Sequence, residues 1–184
     1  MLLCKNLRCE YLENPIGLDE PRPRFRWILE SDQRETVQTA YQLTVGDWDS
    51  GRVESSDSID IEYAGPSLSP FTRYDVSVQV WDNHGSSAHT EGFFETGLLD
   101  PSNWSAKWIC AQEKENEICP MLRKTVPLAG PVHSARIYAT AYGLYEITIG
   151  GRRVGDAYLT PGFTSYDKQL LYQTYDVTDL LRSS

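Results

Sequence analysis

Tyr74, Val76, Val78 and Val80 alternate with Asp75, Ser77, Gln79 and Trp81, so an extended strand here carries one apolar row on a single face. The same period of two recurs. Phe25, Trp27 and Leu29 alternate with Arg26, Ile28 and Glu30, Tyr41, Leu43 and Val45 with Gln42 and Thr44, and Ile59, Ile61 and Tyr63 with Asp60 and Glu62. Turn chemistry separates the runs: Asp49-Ser50-Gly51, Gly65-Pro66 and Asp82-Asn83-His84-Gly85, the last before Phe93 and Phe94. No stretch sustains a helical period, so the first half is expected to be an antiparallel β-sandwich. Leu68, Thr72, Tyr74, Val76, Val78, Val80, Asp82 and Gly85 resemble the late-strand pattern of fibronectin type III domains, in which an aromatic near a strand start packs at a sandwich corner.

Gly97-Leu98-Leu99-Asp100-Pro101-Ser102 reads as a boundary, because a glycine and an X-Pro step follow a sandwich of about 100 residues. The expected division is a sandwich over residues 1–97, a linker and lead-in segment over 98–119, and a second sandwich over 120–184. In the second half Ile137, Ala139, Ala141, Gly143, Tyr145, Ile147 and Ile149 hold alternate positions of one long strand or of two meeting at Gly143. Gly150-Gly151 supplies the positive φ of a tight hairpin before Arg152, Arg153 and Val154. Leu170 to Tyr175 gives one more run, after which Thr178 is expected to cap a helical turn. These residues supply about five strands where a jelly roll needs about eight, so the second sandwich is expected to be incomplete and its edges open to another chain.

Charge narrows the partners. The net charge is −9, and Met1 to Gly97 holds 8 basic and 17 acidic residues against 9 and 9 in Leu98 to Ser184, so the imbalance lies wholly in the first half. No basic stripe is present for phosphate, which argues against nucleic acid or an anionic membrane. Lys5, Asn6 and Arg8 interrupt the only place for a secretory apolar core, and no apolar run approaches the roughly 18 residues of a membrane span, so a cytoplasmic chain is expected. Four cysteines are too few for a disulfide scaffold. Cys4 and Cys9 fall on opposite faces of a straight strand, about 16 Å apart and beyond bridging reach. Cys110 and Cys119 flank a glutamate-rich loop and are read as reduced thiols.

Arg8 to Ser184 resembles the amino-terminal region of bacterial α-L-rhamnosidases of glycoside hydrolase family 78. The matching segments are Leu12-Glu13-Asn14-Pro15-Ile16-Gly17-Leu18, Pro21-Arg22-Pro23-Arg24-Phe25-Arg26-Trp27, Gln38-Thr39-Ala40-Tyr41 and Trp48-Asp49-Ser50-Gly51. Further on they are Gly143-Leu144-Tyr145-Glu146, Gly151 to Asp156, Pro161 to Asp167 and Leu171 to Thr178. The resemblance implies an all-β chain of two consecutive β-sandwiches, fibronectin type III-like and then an incomplete, galactose-binding-like jelly roll. It implies a non-catalytic accessory segment whose partner is the remainder of a rhamnosidase chain with an (α/α)₆ catalytic barrel, an inverting hydrolase of terminal α-L-rhamnosides. The family's catalytic motifs have no counterpart here, so no catalytic residue is assigned. Where the family has Asn-Gly this chain has Gly150-Gly151, and its loop between Val45 and Trp48 is shorter.

Acids such as Asp49, Asp57, Asp60 and Glu62 sit in turns or on a solvent face, and His84, His89 and His133 lack compact ligand spacing, so neither acid/base chemistry nor a metal is expected. The one ligand candidate is the set Tyr145, Asp156, Tyr158, Phe163, Tyr166 and Asp167, which joins flat apolar faces to acceptors and suits rhamnose-containing glycans. Asp156 and Asp167 lack the spacing of an EF-hand calcium loop, and no cofactor is expected. A stand-alone fibronectin-type adhesion or scaffolding module is the competing reading, and an unfinished second sandwich would favour self-association.

Overall fold

The computed structural model describes residues 1–111 and 119–182, which divide into two compact units, Met1–Trp104 and Ser105–Ser184. The glutamate-rich loop between Cys110 and Cys119 lies largely outside the described residues. Among the described residues the architecture is all-β apart from two short helical turns.

In the first unit eight strands run in chain order: β1 (Leu2–Cys9), β2 (Arg24–Ser31), β3 (Gln38–Val45), β4 (Trp48–Asp49), β5 (Val53–Glu54), β6 (Ile61–Glu62), β7 (Arg73–Asp82) and β8 (Ser87–Glu95). One sheet has the order β1-β2-β6 and the other β4-β3-β7-β8, with β5 also paired to β3, all antiparallel. The alternating residues build the core between them: Phe25, Trp27, Leu43, Val45, Val76, Val78, Val80 and Phe94 are buried. Phe25 meets Phe94 with ring centroids 5.9 Å apart. The Tyr74 hydroxyl accepts from the Ser69 amide at 2.8 Å, the backward hydrogen bond of a tyrosine corner. Asp82 closes the β7–β8 hairpin, its Oδ1 accepting from the amides of His84 and Ser86 at 2.9 and 2.7 Å.

Two expectations for this unit are corrected. Cys4 and Cys9 are both buried on the core side of β1, because the β1–β2 register shifts by one residue between Lys5 and Arg8 and Asn6 adopts φ 53°. That extra residue, a β-bulge, reverses the parity of a straight strand. Both thiols are free. Ile59 is 60 % exposed, since Asp60 turns the chain at φ 56° and only Ile61 and Glu62 pair with β2.

The second unit holds β9 (Arg136–Ala139), β10 (Thr148–Ile149), β11 (Arg152–Arg153), β12 (Gln173–Asp176) and a helical turn α1 (Thr178–Arg182). Among the described residues these strands form two separate pairs, β9 with β12 and β10 with β11. Gly150 and Gly151 turn the second pair at φ 56° and 79°. Strand pairing of the alternating run Ile137 to Ile149 covers only its ends, yet side chains from Ala141 to Ile149 still alternate between half-buried and exposed. The helical turn exists, but Thr178 does not cap it. Its hydroxyl accepts from the Ala135 amide at 3.0 Å, and Asp176 instead accepts from the Thr178 amide at 3.0 Å. No helix among the described residues is long and apolar enough to cross a membrane.

Candidate functional site

The second unit carries a row of stacked rings. Trp108 lies on Tyr142 with centroids 4.4 Å apart, Tyr142 meets Tyr166 edge-on at 5.4 Å, and Tyr166 meets Phe163 at 5.6 Å. Three of the four rings face solvent, Trp108 at 57 %, Tyr142 at 62 % and Phe163 at 87 % exposed. Main chain fixes the row: Gly143, at φ 106°, donates its amide to the Tyr166 hydroxyl at 3.0 Å, and the Ser165 carbonyl accepts from the amides of Lys168 and Gln169 in the turn that carries Tyr166. Stacked and edge-on rings of this kind leave flat apolar faces toward water.

The six candidate residues separate in space. Phe163 and Tyr166 share this row. Tyr145 belongs to the fold beside it: its hydroxyl lies 3.1 Å from that of Tyr175 and 3.3 Å from the Ala139 carbonyl, and burial pushes its phenol well above the ordinary tyrosine range. Its amide donates to the Thr160 carbonyl at 3.0 Å, and Thr160 Oγ1 donates back to the Tyr145 carbonyl at 3.2 Å. Tyr158 is exposed and covered on one face by the Arg153 guanidinium, 4.1 Å from the ring centroid, while Arg153 also donates to the Ala157 carbonyl at 2.6 Å. Asp156 and Asp167 are exposed. No group of three or more metal-ligating side chains occurs among the described residues.

Trp108 and Tyr142 are ring partners that the period-two reading passed over. Tyr142 sits at an outward parity next to half-buried Ala141 and Gly143, and an apolar ring at an outward position was the available signal. In the first unit a cleft lined by Leu7, Cys9, Asn14, Phe25, Val76, Gly92 and Phe93 has a volume near 10 Å³, room for about one water and not for a sugar ring.

Residues 4–100 match the family described as the Rha78A-like, N-terminal immunoglobulin domain, and residues 130–184 match the α-L-rhamnosidase N-terminal domain. An α-L-rhamnosidase of Formosa agariphila is 34 % identical over 197 residues, which take in 95 % of this chain and 21 % of that protein. The structure of the α-L-rhamnosidase from Dictyoglumus thermophilum superposes with a TM-score of 0.86 at 34 % identity, over 96 % of this chain and 23 % of the other. The Streptomyces avermitilis α-L-rhamnosidase, solved in complex with L-rhamnose, gives a TM-score of 0.60 at 31 % identity over 97 % of this chain and 20 % of that one. The chain thus spans about a fifth of the length of the relatives it matches. It belongs to the α-L-rhamnosidase family and corresponds to that family's amino-terminal region, an immunoglobulin-like domain followed by the rhamnosidase N-terminal domain.

Proposed function

We propose that this chain is the framework of a rhamnosidase, the part that supports and orients a catalytic domain hydrolysing terminal α-L-rhamnosides and has no turnover of its own. The observation that carries this is the unequal packing of the two units. The first unit encloses a continuous apolar core, whereas among the described residues of the second only Val154 and Val177 of the hydrophobic side chains are buried, and Ile109, Met121, Leu122, Leu144, Leu159 and Phe163 are all at least half exposed. Each such side chain gains about 1.5 to 3 kcal/mol when buried, so a surface of this kind favours contact with further polypeptide.

Within that role the ring row of Trp108, Tyr142, Tyr166 and Phe163, with Tyr158, Asp156 and Asp167, is the surface we assign to contact with rhamnose-containing glycans, while Tyr145 is bonded into the fold beside it. An isolated chain with this surface is expected to self-associate through these side chains. Free thiols, buried at Cys4 and Cys9 and exposed at Cys110 and Cys119, support a reducing, cytoplasmic setting.

The test is a chimera in which this chain replaces the matching region of the Dictyoglumus thermophilum enzyme, assayed on an aryl α-L-rhamnoside beside the same enzyme with that region deleted. Recovery of activity and thermal stability by the chimera, with no turnover by this chain alone, is expected. A chimera no better than the deletion, or turnover by the chain alone that survives repurification, overturns the reading. Phe163→Ala in the chimera raises KM at constant kcat if the row holds sugar, and an unchanged KM removes that assignment.

A further inference from the structure

Five of the eight basic residues of Met1 to Gly97 are Lys5, Arg8, Arg22, Arg24 and Arg26, all in or beside β1 and β2. Arg24 and Arg26 alternate with buried Phe25 and Trp27, and Arg8 precedes buried Cys9, so these three arginines stand on the solvent face of the sheet. Three of the five cations are matched: Lys5 pairs with Glu30 at 2.6 Å, Arg22 with Glu62 at 3.6 Å and Arg24 with Glu10 at 2.8 Å. Arg8 and Arg26 are not. They sit directly opposite each other in the β1–β2 ladder, and neither forms an ion pair among the described residues. Like charges directly opposite in a ladder are destabilising. Arg26 carries a second cost, since its Nε is buried without a hydrogen-bond partner. Its guanidinium makes no hydrogen bond with any described residue, so turning it onto a ligand breaks none.

The surroundings narrow the class of anion. The matched pairs cancel, and Asp60, next along the β2–β6 register, offsets one of the two remaining guanidinium charges, so this face of an acidic unit suits a single oxyanion and not a polyanion. Two guanidinium forks on one rung fit the two oxygens of a carboxylate. Tyr11 stands beside them as a platform. Its carbonyl accepts from Arg8 at 3.1 Å, its hydroxyl donates to Asp60 at 2.7 Å, and the Arg24 guanidinium lies 5.5 Å from its ring centroid, yet the residue stays 43 % exposed. An aromatic ring, an acceptor for hydroxyls and a pair of arginines together match a sugar that bears a carboxyl group. A peptide is the poorer occupant, because Arg26 lies on the central strand of β1-β2-β6, where no free edge is offered for strand addition.

Resting on the reading of this chain as part of a glycan-processing rhamnosidase, we propose that Arg8 and Arg26 form a binding site for a carboxylate-bearing saccharide, with Tyr11 as its stacking platform. Each guanidinium takes one carboxylate oxygen, which relieves the opposition of like charges across the ladder. The glycans that meet this region are then acidic ones, held by the first unit through a uronate residue.

Titration of the isotopically labelled 184-residue chain, followed through the arginine Nε–H and backbone amide resonances, decides this. The probes are trigalacturonate, its methyl ester, acetate and a tetraglutamate peptide. Trigalacturonate is expected to shift the Arg26 Nε–H and the amides of Arg8 and Tyr11 saturably in the millimolar range, and the other three to bind at least about 10-fold more weakly. Arg8→Gln and Arg26→Gln should each weaken trigalacturonate by a similar factor while the remaining amide spectrum shows an intact fold, and Arg34→Gln should leave binding unchanged. No shift at Arg26 Nε–H, or an equal response to the methyl ester, overturns the proposal. Acetate binding as tightly would reduce the site to one for small anions, and tetraglutamate binding as tightly would assign it to an acidic polypeptide; either result overturns the saccharide. The chimera reads the framework role and this titration reads Arg8 and Arg26, so each can fail without the other.

Discussion

Replacing Gln38 tests how the first unit's core is held in register. Gln38 is only 6 % exposed, and its side chain makes three hydrogen bonds: Oε1 accepts from the Trp27 indole at 2.8 Å, and Nε2 donates to the carbonyls of Ser55 and Asp57 at 3.1 and 2.7 Å. It therefore ties β2, β3 and the loop after β5 across the sandwich. Gln38→Met keeps length and bulk but removes every polar atom. The Ser55 and Asp57 carbonyls lie near the surface and can turn to water, whereas the Trp27 indole N–H, in a residue 1 % exposed, cannot. An unsatisfied buried donor costs about 1 to 3 kcal/mol, and the other lost bonds add about 1 kcal/mol, so the variant should lose about 2 to 4 kcal/mol. For a domain of this size that is a fall in Tm of roughly 10–25 °C. Urea unfolding followed by tryptophan fluorescence gives the total, and hydrogen exchange of β2 and β3 amides assigns it to this unit, since the two units need not unfold together. The control is Gln42→Met, whose amide reaches only the exposed Asp49 and should change stability by less than about 0.5 kcal/mol. Equal, small losses from both substitutions would refute the reasoning, because burial would then add nothing to the value of these bonds.

Two further outcomes are expected. Burial raises the thiol of Cys4 to about 11 and that of Cys9 to about 12, so iodoacetamide at pH 8 should label Cys110 and Cys119 within minutes and reach Cys4 and Cys9 only in urea; peptide mapping that finds Cys9 alkylated in the folded chain would contradict this. Because these folded values lie above the ordinary 9.0, the stability they contribute is complete below about pH 9 and is lost as pH rises toward 11 and 12. Glu10 works in the opposite direction. Arg24 grips it through Nε at 3.1 Å and a second guanidinium nitrogen at 2.8 Å, and these bonds hold the Glu10 carboxyl below its usual value. Its contribution is present above that usual value and lost as pH falls through the lowered one, so Glu10→Gln should flatten the decline in urea midpoint below about pH 4.5; an unchanged acid limb would show the pair to be idle.

The period of two located β2, β3 and β7 and named their core rows, since a two-sided strand writes its faces directly into sequence. It was blind where one residue leaves the extended region. Asn6 in β1 and Asp60 before β6 each take a left-handed conformation, and the first moves Cys9 to the core while the second leaves Ile59 in water. Neither residue type is rare in turns, but nothing in the alternation marks where parity flips. In the candidate site the sequence supplied Phe163 and Tyr166 but not Trp108 or Tyr142, because alternation tells which face a ring occupies and not which ring stands opposite. Tyr145 illustrates the same limit from the other side. Its inward parity was legible, but its hydroxyl partner Tyr175 comes from a strand thirty positions away.

The same pattern ends differently in the two units, and the difference lies in the edges. In β7 both edges are paired, to β3 and to β8, and Val76, Val78 and Val80 are no more than 3 % exposed. From Ala141 to Ile149 the alternation is equally regular, yet the main chain is bonded along one edge and the inward side chains are only half buried. Apolar rows are covered by the side chains of neighbouring strands and of the facing sheet, so a strand with one neighbour covers its row incompletely, however well its sequence alternates. Regular alternation joined to partial burial therefore marks a strand with a neighbour on one side, and it falls on Leu144–Thr148.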